Sequence, residues 1–236
     1  LSVQKNNKSV DVLEGGNAKD IVPLGGDTFL IATVTELAKL YPSQTKSWQR
    51  KTLQEGFCRS VAVSENGTIW AAFKDGVFYG NDEKLEPFLR SDKPVYAAET
   101  TVDDANNLWI ATISNGLLKI SGKQIVAEFN TSNGLGSNDL HCVSISNDTV
   151  WIDHSNGLDR FVNGEFHHFN LLDGMPLKEV NDILVTDGFV YLASHNGLTV
   201  LPTKAVAENR VPPRLIANTI LLGDSSVSVS EYTSFR

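Results

Sequence analysis

The chain has 236 residues, 41% of them hydrophobic and 20% charged, with a formal net charge of −8. That is enough apolar material for one sizeable core, and all-β folds of this size are often single units. The acidic balance disfavours a nucleic acid or an anionic membrane gripped through a basic face, and no apolar run reaches the roughly 18–20 residues that cross a bilayer.

Taken in chain order, residues 3–13 (VQKNNKSVDVL) resemble residues 120–129, the end of the third strand and the fourth strand of a repeated unit. Residues 29–40 (FLIATVTELAKL) align with residues 108–120 (LWIATISNGLLKI) once a glycine is dropped, so they are a faded copy of a repeated unit. The next copy is plain. It predicts strands at 60–64, 68–73, 77–79 and 85–89, with turns at Glu65-Asn66-Gly67 and Lys74-Asp75-Gly76. Asn-Gly and Asp-Gly between apolar runs mark two-residue hairpins, whose central residues both need positive φ. The third copy predicts strands at 97–102, 107–112, 117–120 and 125–129, and the fourth at 141–146, 149–153, 158–161 and 165–169. In the fifth copy only three strands, 181–186, 189–194 and 198–201, precede Pro202.

An aromatic (Trp70, Trp109, Trp151, Tyr191) and a following glycine (Gly76, Gly116, Gly157, Gly197) recur through these copies. A period of about forty residues with four antiparallel strands per unit is that of β-propeller blades. The expected fold is therefore an all-β propeller over residues 1–203, with almost no helix and blades at about 20–55, 56–92, 93–135, 136–175 and 176–203. Residues 3–13 are expected to lend the fifth blade its missing outer strand, since an unpaired edge is a liability. The tryptophans are expected to pack between blades, and Cys58 and Cys142 to be buried free thiols rather than a bridge. Beyond Pro202, the run Arg210-Val211-Pro212-Pro213-Arg214 reads as a linker, and 215–222 with 227–229 as the beginning of a further β domain, so 204–236 is set apart. The segment is expected to be a mature or excised soluble piece.

Catalytic signatures are absent: no G-x-S-x-G elbow, P-loop, H-E-x-x-H or paired-cysteine motif occurs, so no catalytic residue, metal or cofactor is expected. In a propeller, the loop entering the first strand and the turn between the second and third strands converge on one mouth, where a small ligand would sit. Arg59, Asn115, His154, Asn156, His195 and Asn196 are the candidate ligand contacts, with Asn138, His141 and Asn181 falling nearby. Amides and imidazoles outnumber like charges in this set, which suits sugar hydroxyls better than phosphate or metal.

Leu135-Gly136-Ser137-Asn138, Thr149-Val150-Trp151-Ile152 and Asn156-Gly157-Leu158, followed by Gly174-Met175-Pro176, Val180-Asn181-Asp182-Ile183 and Asn196-Gly197-Leu198, resemble the repeat of the two-component regulator propeller family. The resemblance spans about residues 20–201, and Val211-Pro212-Pro213 resembles the opening of the triple-tyrosine β-sandwich domain that follows these propellers. Propellers of that family commonly have seven blades, whereas five units are visible here, so either a closed five-bladed ring or part of a seven-bladed one is open. The resemblance implies the periplasmic sensor part of a membrane-anchored, homodimeric receptor that detects an oligosaccharide or similar polar ligand and signals to an intracellular kinase or cyclase. The chain departs from the pattern in its faded first copy and at Asp153, where a small residue is usual. A propeller enzyme, such as a lyase or glycan hydrolase, and a protein-binding scaffold are the alternatives.

Overall fold

The computed structural model describes residues 2–5, 8–11, 17–44, 47–170, 180–203, 219–222 and 225–228. Among these, all regular structure is β-strand, organised as a β-propeller. Blade one comprises Ala18–Gly25, Thr28–Thr33, Glu36–Pro42 and Trp48–Glu55. Blade two comprises Cys58–Val63, Ile69–Phe73, Gly76–Gly80 and Leu85–Pro87. Blade three comprises Ala97–Val102, Leu108–Thr112, Leu117–Ser121 and Gln124–Phe129. Blade four comprises Leu140–Ser146, Thr149–His154, Gly157–Val162 and Glu165–Phe169. Blade five has three strands, Val180–Thr186, Phe189–Ser194 and Gly197–Pro202.

The faded first copy is a true blade. Phe29 pairs with Leu40 and Ala32 with Leu37, matching Leu108 with Ile120 and Ala111 with Leu117, and the turn between them is one residue shorter. Leu30 thereby takes the tryptophan position. Strand character changes across each sheet: Ile69–Phe73 and Leu108–Thr112 are buried at every residue, whereas Gln124–Phe129 alternates. A second strand is covered on both faces by its neighbours and so reads as a continuous apolar run; the outer strand has one wet face.

Trp70, Trp109 and Trp151 occupy the same register and are 2%, 3% and 2% exposed. Each packs toward the next blade. Trp109 stacks on Phe129 at 5.9 Å, donates its indole N–H to Asp103 Oδ2 at 2.9 Å, and shares a core with Val143, Val150 and Ile152 of blade four. Truncating such a residue costs about 3–5 kcal/mol.

The first strand of every blade carries a bulge at the same register, at Lys19, Arg59, Ala98, His141 and Asn181. The next residue in four of these strands reaches the backbone of the following blade. Asp20 Oδ2 accepts from Val61 N–H at 2.8 Å, Ser60 Oγ from Thr100 N–H at 3.1 Å and Glu99 Oε2 from Val143 N–H at 2.7 Å, while the Cys142 thiol donates to Val180 O at 3.6 Å. Cys58 and Cys142 are both buried free thiols, their acidity weakened first by that burial.

Two expectations change. The described part of residues 3–13 does not pair with blade five: Ser2–Lys5 pairs with Lys8–Asp11 as a hairpin, and the fifth sheet has three strands among the described residues. A local hairpin closes its hydrogen bonds without crossing the length of the chain. The strand expected at 85–89 ends at Pro87, and Leu89–Arg90 turns back on Lys93–Pro94 through Ser91 and Asp92, both at positive φ. Of the expected further β domain, only a hairpin of Thr219–Leu222 with Ser225–Ser228 is described, and the proline linker and Gly174-Met175-Pro176 lie outside the described residues.

Candidate functional site

The five bulges set the geometry of the axis. A bulge turns one extra side chain out of the ladder, and Lys19, Arg59, Ala98, His141 and Asn181 all line one cavity of about 680 Å³, together with Phe57 and His195. All five blades therefore contribute to a single axial mouth of the size usual for small-ligand sites. His195 enters from the turn between the second and third strands of blade five, and its Nδ1 lies 3.3 Å from Asn181 Nδ2. Lys19 and Arg59 both sit over the Phe57 ring, at 5.9 Å and 4.8 Å from its centroid.

Immediately below are the residues that follow the bulges, among them Asp20, Glu99 and Asp182. Burial pushes the Glu99 carboxyl up to about 8; the Val143 N–H pulls it down, while Asp182 and Asp20 add to the rise. The axis thus has a donor-rich rim above an acidic neck.

Of the expected contacts, Arg59 and His195 reach this mouth, and the others do not. Asn115 lines a separate cleft between blades two and three, with Arg90, Lys93, Tyr96 and Thr112. Asn196 lies in an exposed turn whose backbone N–H bonds to Ser194 Oγ. Asn156 donates its side-chain amide to Gly136 O at 2.9 Å. His154 is 5% exposed rather than a solvated turn residue. Its Nδ1 accepts from Asn156 N–H at 3.2 Å, and its Nε2 stands 2.9 Å from Asp159 Oδ1, at an angle too bent for a good hydrogen bond.

Asp159 explains the burial of His154. Its carboxylate is fully buried, accepts from Gly136 N–H at 2.7 Å and lies 2.6 Å from His168 Nδ1. Burial would raise its pKa, but His154, the Gly136 N–H and His168 together hold it below the usual carboxylate range. A side chain at Gly136 would run into His154 and Asp159. Asp153, the residue out of pattern in sequence, is buried beside the mouth and paired with His141 Nδ1 at 2.9 Å. Burial raises its pKa against the pull of His141 and His154. Among the described residues, no group of three or more His, Cys, Asp or Glu could hold a metal.

Sequence reasoning missed Lys19 and Phe57. Lys19 belongs to the faded copy, and only the strand register aligns Ala18-Lys19-Asp20 with Cys58-Arg59-Ser60.

The sequence matches no protein-family profile and no curated protein. Solved structures share the fold at low identity. The extracellular domain of a putative hybrid two-component system from B. thetaiotaomicron aligns with TM-score 0.66 and 18% identity, over 80% of this chain and 27% of that one. A second such domain from the same organism aligns with TM-score 0.67 and 12% identity, over 94% and 32%. Virginiamycin B lyase from Staphylococcus aureus aligns with TM-score 0.62 and 14% identity, over 85% and 76%. This chain therefore spans about a third or less of the two extracellular domains it is similar to, and at these identities the likeness is one of fold.

Proposed function

We propose that this propeller is a ligand-sensing module of an extracytoplasmic, specifically periplasmic, part of a membrane-anchored receptor. It binds a polar ligand of the oligosaccharide class and passes the signal to an intracellular output domain, the parent receptor acting as a homodimer. One observation carries the reading: five bulges at equivalent register aim five side chains, with His195, at one axial cavity. Hydrogen-bonding groups around an open mouth suit hydroxyl-rich ligands, and two of the similar solved structures are extracellular domains of two-component systems. The module itself is not an enzyme.

Calorimetry of this chain against a glycan panel tests the reading, with Arg59→Ala and His195→Ala as the diagnostic variants. Each is expected to weaken binding by roughly tenfold, about 1.4 kcal/mol. A glycan whose affinity survives both substitutions but is lost in Asn115→Ala would move the site to the cleft between blades two and three.

A second reading, a propeller lyase, draws on the His141–Asp153 pair, because a carboxylate 2.9 Å from an imidazole at a cavity wall orients a general base. An unsaturated glycan product that disappears in His141→Ala would favour it.

A further inference from the structure

The rim of the axial mouth is asymmetric in charge. Blades one and two contribute Lys19 and Arg59, blade three only Ala98, and blades four and five His141, Asn181 and His195. Among the described residues, Lys39, Arg50, Lys84, Arg90 and Lys119 each have a carboxylate partner, whereas Lys19 and Arg59 form no ion pair or hydrogen bond. Their shared contact is Phe57, whose ring holds two cations on one side of the mouth. Two like charges gathered with no carboxylate paired to either among the described residues, in a chain of net charge −8, form a local positive field that concentrates an anion.

The neck limits what kind of anion fits. Asp20 and Asp182 follow the bulge residues on the same strands and would repel a group carrying several charges, such as a phosphate ester. The same carboxylates accept hydrogen bonds from hydroxyls, and the amide and imidazoles of blades four and five supply both donors and acceptors. A ligand with a single charge at one end and hydroxyls over the rest meets every part of the rim.

Building on the sensing function proposed above, we infer that the axial mouth binds an acidic oligosaccharide: a uronate carboxylate is held between Lys19 and Arg59, and the ring hydroxyls face His141, Asn181 and His195. Arg59 supplies the planar fork that matches a carboxylate, and Lys19 a point charge.

The test is calorimetry of the intact chain with an aldobiouronic acid, a disaccharide carrying one carboxylate, its methyl ester and a monosulfated disaccharide, at low and high salt. The acid is expected to bind roughly tenfold or more tightly than the ester, and this advantage is lost in high salt and in a Lys19→Ala/Arg59→Ala double variant. Arg59→Lys should keep part of it. Both residues are exposed, so an unchanged melting temperature will verify that the double variant is folded. Equal binding of acid and ester, weakened by His195→Ala, overturns the charge inference and leaves the sensing reading standing. Binding of the sulfated sugar alone overturns the carboxylate. If no sugar binds, the inference and the glycan reading fall together.

Discussion

Blades three and five have the same strand grammar but different surroundings. Leu117 of blade three is fully buried against blade four, and so are its equivalents Leu37, Val77 and Leu158 against their following blades. Leu198, at the same register in blade five, is 63% exposed, and Leu184 on the same blade is 58% exposed. Asp20, Ser60, Glu99 and Cys142 each bond to the next blade's first strand, and the fifth residue of that series, Asp182, is exposed and has no such partner among the described residues. The same side chain is core or surface according to whether another sheet lies beside it. Propeller stability therefore resides in the junctions between blades, each repeat being unable to bury its own face.

The comparison breaks most readily at matched leucines. Leu117→Ala is expected to cost about 2–5 kcal/mol in chemical denaturation, and Leu198→Ala no more than about 0.5 kcal/mol. Equal costs would mean that the fifth face is covered in solution.

Matched glycines sharpen it. Gly157 (φ 141°) and Gly197 (φ 130°) both need a backbone that disfavours a side chain. A Cβ at Gly157 would collide with the carbonyl oxygen of Phe169 on the outer strand, whereas at Gly197 it would meet nothing among the described residues, where that sheet has three strands. Gly197→Ala should cost about 1–2 kcal/mol from backbone strain alone, and Gly157→Ala should lower the melting temperature further.

The smallest effect expected is at the junction of blades three and four. Glu99 is pushed up to about 8 when folded, against 4.5 ordinarily, so the folded chain keeps a proton that the unfolded chain releases. That contribution is present at low pH and is lost as pH rises from about 4.5 towards about 8. Glu99→Gln keeps an acceptor for Val143 N–H without the charge. It should therefore raise the melting temperature above pH 8 by a few degrees, on the scale of roughly 2–4 °C per kcal/mol, and leave it unchanged near pH 5. Asp159 has the opposite sign: held below its ordinary range, it stabilises at neutral pH and loses that contribution in acid. A variant that responds identically at both ends of the pH range would remove Glu99 from the account.

The site was less legible than the fold, and His154 and Lys19 illustrate why. His154 looked like a turn residue because Asn156-Gly157 follows it; its burial depends on Asp159 and on the Gly136 loop arriving over it. Lys19 was overlooked because blade one has lost the aromatic and glycine that mark the other copies. Arg59 was legible because the residue entering a first strand reaches the axis in every blade, whereas of the turns leaving a second strand only that of blade five brings an expected contact, His195, to the mouth.

What the sequence by itself determined is local and periodic: strand order, turn chemistry, the aromatic register and the number of visible repeats. These depend on neighbouring residues and on hairpins closed over a few positions, so they are written in the chain at short range. Only the tertiary structure decided that five bulges meet at one cavity, that Asn115 belongs to a different cleft, and that Leu198 is exposed where Leu117 is buried. Those outcomes depend on which sheet lies against which, and no spacing within one repeat encodes that.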